Sequence, residues 1–142
     1  MDVQKMSYLA VLLLVLALCM SQPLIANAGK FVVHVENGLK NDILQAHCKS
    51  GDDDLGLQYI SVNKEFQWSF GINFWQSTLF FCNMSWVGGQ RTFDVFWVNN
   101  IFFRKYCPHY DCLWRAQEDG IYLFNYESSE YEFQYKWEPR QI

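Results

Sequence analysis

Alternation of aromatic and polar residues is the feature that most restricts the fold of this chain. The clearest case lies near the C-terminus, where seven residues alternate in character: Tyr131, Glu132, Phe133, Gln134, Tyr135, Lys136 and Trp137. Because successive side chains of a strand point to opposite faces, this pattern predicts a strand with one face in the core and one in water. Aromatic residues make up 18% of the chain and are enriched in strands. Both observations favour β-structure.

Short segments of similar character recur along the chain. The strand candidates span residues 31–35, 43–48, 57–60, 66–70, 78–86, 93–98, 101–106, 112–116, 121–125 and 131–137. Glycine, proline, asparagine or aspartate separates most of them, as expected for turns. This spacing predicts an all-β protein with about eight or nine strands, arranged as an antiparallel sandwich or barrel. No segment predicts a long helix.

The first 28 residues have the features of a secretory signal peptide. Lys5 gives a basic start, residues 9–20 form an apolar run, and Ala26-Asn27-Ala28 has the small-x-small form that signal peptidase cleaves. The run is shorter than the roughly 20 residues that span a bilayer. We therefore expect a secreted protein that does not insert into membranes, with residues 29–142 as a single domain.

Cleavage would remove Cys19 and leave four cysteines. In an oxidising compartment, these four are most simply two disulfides: Cys48, Cys82, Cys107 and Cys112. Four cysteines permit three connectivities, and the spacing does not choose among them. A zinc site would need closely spaced ligands, whereas His47 and Cys48, as neighbours on a strand, would point to opposite faces. We therefore expect no metal.

Charge and motifs argue against several classes of function. The net charge is -4, and the lysines and arginines are scattered, with Arg104-Lys105 the only adjacent pair, so nucleic acid is not an expected partner. No glycine-rich phosphate loop is present, and no motif of a catalytic triad surrounds the three histidines. We expect no cofactor, no catalytic residue and no enzymatic activity.

A glycosylation signal lies within one of the predicted strands. Asn83-Met84-Ser85 has the N-x-S form of an acceptor, and Trp86 rather than proline follows it. On the strand pattern, Asn83 lies on the face opposite Cys82, where it is free to face solvent. We expect Asn83 to carry a glycan.

Two turn segments contain candidate binding residues. Asp52, Asp53 and Asp54 are consecutive, so they do not match the alternate spacing of a calcium-binding EF-hand loop, and we interpret them as a solvated turn. Trp75 lies between two predicted strands. An exposed ring there would be able to stack on a sugar, but the interpretation that we favour is that Trp75 caps the core.

Several motifs occur in a fixed order along residues 31–137. They are Val35-Glu36-Asn37, His47-Cys48-Lys49-Ser50 running into Asp52 to Gly56, Phe66-Gln67-Trp68-Ser69-Phe70, Thr78-Leu79-Phe80-Phe81-Cys82 with Trp86, Phe93-Asp94-Val95, the pair Cys107 and Cys112 with Trp114, and Gly120-Ile121-Tyr122. This ordered set, together with a signal peptide, resembles the plant self-incompatibility protein homologues (S-protein homologues), first recognised as stigmatic S-proteins of poppy.

The resemblance implies a small secreted β-sandwich with two disulfides and no catalytic activity. In poppy, such proteins are ligands that incompatible pollen perceives at its membrane. Loops between strands are where recognition has been placed in that family, and the matching positions here are residues 51–56, 99–100 and 119–120. Asp52, Asp53 and Asp54 are thus the candidate partner-binding residues.

Our leading hypothesis from the sequence is a monomeric, secreted signalling ligand for a cell-surface receptor or an apoplastic protein, with a self-incompatibility-like role in reproduction as one setting. The alternative is a secreted defence protein that binds carbohydrate or inhibits a foreign enzyme. Exposed aromatic rings would favour the alternative, because such rings stack on sugars.

Overall fold

A computed structural model describes residues 7–17 and 29–141. Residues 29–141 contain nine strands and one short helix: β1 (Lys30–Asn37), β2 (Leu44–Lys49), β3 (Asp54–Ile60), β4 (Glu65–Gly71), β5 (Leu79–Trp86), β6 (Gly89–Trp97), α1 (Asn100–Tyr106), β7 (Asp111–Gln117), β8 (Gly120–Asn125) and β9 (Glu130–Tyr135). One sheet has the order β4-β1-β7-β8-β9 and the other has the order β3-β2-β5-β6. The predicted small β-sandwich is confirmed.

The N-terminal segment, residues 7–17, takes no part in the core of the sandwich. Residues 7–17 form a helix whose side chains are exposed. The cleavage signal Ala26-Asn27-Ala28 and Cys19 lie outside the described residues, so removal of the signal peptide stays a prediction. In the part of the chain that the structure describes, no helix is long and apolar enough to cross a membrane.

Alternation along the strands fills the space between the two sheets. On β1, Phe31, Val33 and Val35 are buried, whereas Val32 and His34 lie on the outer face. Trp114 of β7 is only 1% exposed, and its Nε1 donates a hydrogen bond of 3.0 Å to the carbonyl of Val95 on β6. This bond joins the two sheets and satisfies the polar atom of a buried ring.

One strand pairing departs from the antiparallel prediction. Of the seven pairings among the described strands, six are antiparallel, but β1 and β7 are parallel, with Val32 opposite Asp111. After β1 the chain crosses to the other sheet for β2 and β3, returns to the first sheet for β4, and crosses again for β5 and β6 before it reaches β7. This path supplies the long connection that a parallel pair needs.

The segment predicted as a strand over residues 101–106 is the helix α1, so that prediction was wrong. The side chain of Asn99 accepts hydrogen bonds from the backbone N–H groups of Ile101 and Phe102, at 2.9 and 3.0 Å. Such an N-cap satisfies amides that would otherwise lack partners. Phe102 is buried, and Arg104 and Lys105 lie in the last turn, where cations interact favourably with the helix dipole.

The last strand exists as predicted, but its faces differ from the prediction in one half. The register between β8 and β9 shifts, because Ile121 pairs with Tyr135 and the next residue, Tyr122, pairs with Phe133. The extra residue on β9 reverses the alternation, as expected for a bulge. Tyr135 therefore packs against Phe93 of the core, at 5.0 Å between ring centroids, whereas Phe133 lies 50% exposed on the outer face.

The structure settles which cysteines pair. Cys48 and Cys82 are bonded across directly opposed positions of β2 and β5, and both are fully buried. Cys107 and Cys112 are bonded to each other and close a short loop between α1 and β7. The first bond therefore staples one sheet, and the second fixes the connection that leads into the other.

Asn37, at the end of β1, is a buried polar residue with all its groups satisfied. Its Nδ2 donates to the carbonyls of Asp42 and Ile60, at 2.9 and 2.8 Å, and its Oδ1 accepts from the N–H of Leu39. These bonds hold together the segments that leave β1 and β3. The resemblance motif Val35-Glu36-Asn37 thus has a structural explanation.

The segment after β9 pairs with the start of the outer edge of β6. Glu138 and Gln90 exchange two backbone hydrogen bonds, at 2.8 and 2.9 Å. The carboxylate of Glu138 also accepts a bond of 2.7 Å from Arg91. The C-terminal segment is therefore anchored by both its backbone and a side chain.

The two disulfides should contribute unequally to stability. They close loops with sequence separations of 34 and 5 residues, and the loss of loop-closure entropy in the unfolded chain corresponds to about 4 and about 2 kcal/mol, respectively. We expect the pair C48A/C82A to lower the free energy of unfolding more than the pair C107A/C112A, as measured by urea titration. An equal or reversed order would contradict this assignment of the staples.

Candidate functional site

Several loops gather at one end of the sandwich, which we call the loop end. It comprises residues 50–53, residues 72–78, and residues 98–110 with α1. The strand registers place them there, since Lys30 pairs with Gly71, Lys49 with Phe81, and Leu79 with Trp97. Of the predicted binding loops, residues 51–53 and 99–100 are at this end, whereas the turn at residues 119–120 lies at the opposite end.

Asp52 and Asp53 occupy a tight turn at the loop end, as the sequence predicted. Ser50 organises this turn: its Oγ accepts bonds from the N–H groups of Asp52 and Asp53, and its own N–H donates to the carbonyl of Asp53. Both carboxylates are on exposed residues. They share a cleft with Asn73 and Ser77 of the neighbouring loop.

Asp54 does not belong with these two residues, because it is the first residue of β3. Its Oδ1 lies 2.6 Å from Nε2 of His47 and accepts a bond of 2.9 Å from the N–H of Gly56. The Gly56 bond, followed by the His47 bond, holds the pKa of the Asp54 carboxyl below its ordinary value. All three aspartates are exposed, but the carboxylate of Asp54 is bonded to His47 and Gly56 and so fixes the start of the strand.

Phe74 and Trp75 project from the loop end into solvent. They are 88% and 82% exposed, and their rings meet edge to face at 5.3 Å. The expectation that Trp75 caps the core was wrong. The core beneath it is already closed by Phe70 and Phe80, whose ring centroids are 4.5 Å apart. Exposed large apolar side chains that lie together mark interaction sites.

The loop that carries these two rings is held in one conformation. Asn73 Oδ1 accepts a bond of 2.8 Å from the N–H of Ser77, and Asn73 Nδ2 donates to Ser77 Oγ at 3.0 Å. The N–H of Asn73 donates to Thr78 Oγ1 at 2.8 Å. The adjacent positions 74 and 75 are thus fixed from both sides. A loop whose backbone is held in this way loses less conformational entropy when a partner binds it.

A groove runs along the other side of the 72–78 loop. Its apolar surface is formed by Phe31, Ile72, Phe74, Val98, Phe103 and Tyr110. Lys30 and Arg104 lie at its rim. Lys30 and Phe74 were not among the residues predicted from the sequence, and Arg104 was noted only as part of a basic pair. The available signal is a run of two large aromatic residues among uncharged polar residues, in a segment that does not alternate: Asn73, Phe74, Trp75, Gln76, Ser77 and Thr78.

The helix beside this groove is tied to the last strand. Glu132 of β9 accepts a bond of 2.9 Å from the hydroxyl of Tyr106 on α1 and a bond of 2.8 Å from Nδ2 of Asn125. The Asn125 bond, followed by the Tyr106 bond, holds the pKa of the Glu132 carboxyl below its ordinary value. The expectation that Glu132 is merely a solvent-facing group was therefore incomplete.

The histidines lie apart from one another. His34 lies between two carboxylates on the outer face, with Nδ1 3.1 Å from Glu65 and Nε2 2.7 Å from Asp111. His109 is exposed in the disulfide loop. In residues 7–17 and 29–141, no group of three His, Cys, Asp or Glu side chains is placed to hold a metal ion.

Comparison with known proteins identifies the scaffold. The family model described as plant self-incompatibility protein S1 matches residues 32–137. The chain belongs to the plant self-incompatibility S1 family. Among its relatives, S-protein homolog 1 of Arabidopsis thaliana is 38% identical over 81% of this chain and 76% of the relative, and S-protein homolog 74 is 39% identical over 77% and 72%.

The fold of this S1-family protein also matches a solved structure. That structure belongs to the self-incompatibility protein homologues, described as a widespread family of small, highly stable, secreted proteins from plants. The two chains share 17% identity with a TM-score of 0.55, over 81% of this chain and 95% of the other. The S1-family protein accordingly has the fold of that structure.

The motifs that carried the family resemblance lie mostly in the scaffold of this S1-family protein. Cys48, Cys82 and Trp114 are buried in its core, and Asn37 is a buried polar residue at the end of β1. The exposed pair Phe74 and Trp75 falls between two of those motifs. Family membership therefore identifies the fold of this chain.

Acid should weaken the attachment of α1 in this S1-family protein. Because the folded pKa of Glu132 lies below its unfolded value, its stabilisation is present above about pH 4.5 and is lost as the pH falls below that. We expect E132Q to reduce the loss of unfolding free energy between pH 6 and pH 3 by up to about 1 kcal/mol, since the group is exposed. Urea titration at each pH measures this.

The control for that experiment is E130Q, which changes an exposed carboxylate on the same strand. It should leave the pH dependence as in the unchanged protein. An E132Q profile that coincides with the E130Q profile would contradict the role given to Glu132.

Proposed function

We propose that this secreted S1-family protein is a non-catalytic recognition ligand whose loop end binds a cell-surface receptor or an apoplastic protein. The observation that carries the proposal is the exposed pair Phe74 and Trp75 on a loop that Asn73 holds in place. Large aromatic side chains dominate the binding energy of protein interfaces when a partner buries them.

Charge next to the aromatic pair supports the same role. Asp52 and Asp53 lie across a cleft from Asn73 and Ser77, so a partner that covers the two rings also approaches these carboxylates. Charges at the rim of an interface act mainly on the rate of association and on the choice of partner. We therefore assign affinity to Phe74 and Trp75, and orientation to Asp52 and Asp53.

The scaffold suits a ligand that acts as a monomer outside the cell. Two disulfides fix the fold, and the second of them lies beside the loop end. Rigid scaffolds that display loops are a common basis for recognition. Self-incompatibility-like signalling in reproduction is one setting for such a ligand, and the tissue in which the protein is expressed would distinguish that setting from others.

The direct test is saturable binding of the labelled, secreted protein to plant cell membranes. We expect F74A/W75A to weaken binding at least tenfold, because each ring fills apolar space on the partner. Y59A is the matched control, since Tyr59 is 65% exposed on the outer face of β3. D52N/D53N should slow association more than it speeds dissociation.

The outcomes of this test are separable. Absence of saturable binding in the unchanged protein would overturn the recognition function. Equal losses in F74A/W75A and Y59A would overturn the loop end as the binding surface. Unchanged association in D52N/D53N would remove only the role of the two carboxylates.

The exposure of Trp75 also favours one competing function, namely a defence protein that binds carbohydrate. Indole rings offer a flat apolar surface on which sugars stack. Phe74 and Trp75 meet at 85°, however, so the two rings do not form one flat platform. A glycan array probed with the unchanged protein and with W75A separates the two functions, because only carbohydrate recognition gives spots that W75A loses.

We further propose that Asn83 carries an N-linked glycan. The residue is exposed on the outer face of β5, between buried Cys82 and buried Met84, and its Nδ2 donates a bond of 2.7 Å to Thr92 Oγ1. The secreted protein should lose mass on treatment with an amidase that removes N-glycans, and N83Q should lack that change. S85A is a second control, because it abolishes the acceptor motif while keeping Asn83. If the treated protein has the same mass as the untreated protein, the proposal is contradicted.

A further inference from the structure

The groove beside the 72–78 loop has an aromatic floor and an apolar wall. Its floor is Phe31, which packs against Phe103 and Tyr110 at 4.8 and 5.0 Å between ring centroids. Ile72 and Phe74 form one wall. An apolar side chain placed in this groove would therefore be surrounded by aromatic and aliphatic atoms on several sides. Removal of its surface from water would favour binding.

The charges at the groove are of one sign. Lys30 and Arg104 line it, and none of the described lining residues is acidic. Arg104 donates to Glu127 through Nε at 3.2 Å, and its side chain is 68% exposed. The guanidinium has further N–H donors at its terminal nitrogens for a second acceptor. The acidic residues Asp52 and Asp53 line the cleft on the other side of the loop. The 72–78 loop thus divides a cationic side from an anionic side, in a chain whose net charge is -4.

Processing would add to the positive side. Gly29 lines the same groove. The cleavage predicted after Ala28 would leave the amino group of Gly29 there as a third cation. Removal of the signal peptide would then complete the rim of the groove as well as release the protein.

We infer that this groove receives a peptide segment of the protein partner in which an apolar side chain is next to a carboxylate. The inference rests on the proposed function, since it names the chemistry of the partner at the loop end. The apolar side chain occupies the floor over Phe31, and the carboxylate accepts charge-assisted hydrogen bonds from Lys30 and Arg104. Phe74 lines the groove and is also one of the two exposed aromatic residues, so it links the two parts of the surface.

A peptide fits this groove better than an acidic sugar does. A uronic acid would supply the carboxylate, and Asn73, Gln76 and Asn100 of the lining offer partners to some of its ring hydroxyls. The remaining hydroxyls would face the six side chains of the groove that are apolar or aromatic: Phe31, Ile72, Phe74, Val98, Phe103 and Tyr110. Hydroxyl groups buried against such a surface without hydrogen bonds are unfavourable. The apolar floor therefore selects for an aliphatic or aromatic side chain.

The test uses the secreted full-length product and fluorescent, end-blocked hexapeptides that contain one Leu or Phe followed by Asp or Glu. Matched peptides carry Asn or Gln instead of the acid. By fluorescence anisotropy, we expect the acidic peptides to bind roughly tenfold more tightly than their amides. K30Q/R104Q should abolish that preference. K64Q/K136Q, which removes two exposed cations elsewhere, should preserve it within about twofold.

The outcomes distinguish this inference from the proposed function. Equal binding of acidic and amide peptides, or an equal effect of the two double variants, would overturn the inference. Preferential binding of an oligogalacturonate, lost in K30Q/R104Q, would also overturn it in favour of an acidic sugar. If membrane binding is lost in F74A/W75A but is unchanged in K30Q/R104Q, the recognition function stands and the groove has no part in it.

Discussion

The parallel pairing of β1 with β7 is the constraint on which the loop end depends. The N–H of Val32 donates a bond of 2.8 Å to the carbonyl of Tyr110, so the start of β1 is held against the disulfide loop that leads into β7. β4 runs antiparallel to β1 and ends beside Lys30. Three chain segments that are distant in sequence therefore meet at one end. With β7 reversed, the disulfide loop would lie at the other end of the sandwich, and the groove would have only one wall.

Asparagine side chains hold the connections of this fold more often than any other polar group. Asn37 joins the segments after β1 and β3, Asn73 fixes the 72–78 loop, Asn99 caps α1, and Asn125 accepts bonds from the backbone of the turn before β9. A side-chain amide both donates and accepts, so one residue can replace the missing backbone partner on each side of a turn. The connections at the loop end are accordingly held by hydrogen bonds, as the strands are, which suits recognition by a fixed surface.

The sequence predicted the strands well because burial on one face leaves a period of two in the residues themselves. It predicted poorly wherever a local hydrogen bond decided the structure. Residues 101–106 are apolar enough for a strand, but the side chain of Asn99 starts a helix there. The bulge in β9 places Tyr131 and Phe133 on the outer face instead of the predicted core face. One unpaired residue leaves no mark in a pattern of alternation, so the sequence did not predict it. The pairing of Cys48 with Cys82 followed from the register of β2 and β5, which spacing along the chain does not contain.

The candidate site was predictable only in part, for a related reason. The turn at Asp52 and Asp53 was predicted because turn-forming residues are recognisable, while Trp75 was assigned to the core because a large aromatic is usually buried. Its actual position depends on whether the space beneath it is already filled, and Phe70 and Phe80 fill it. Such competition for the same space is a property of the packed fold.

The pairing at the start of β6 has a consequence for contacts between copies of this chain. Glu138 already exchanges both of its backbone hydrogen bonds with Gln90, and the ion pair between Arg91 and the Glu138 carboxylate lies beside them. A second copy that added a strand at this point would have to displace the C-terminal segment and break that ion pair first. The last residues of the chain therefore protect the part of the sheet edge to which they are bonded.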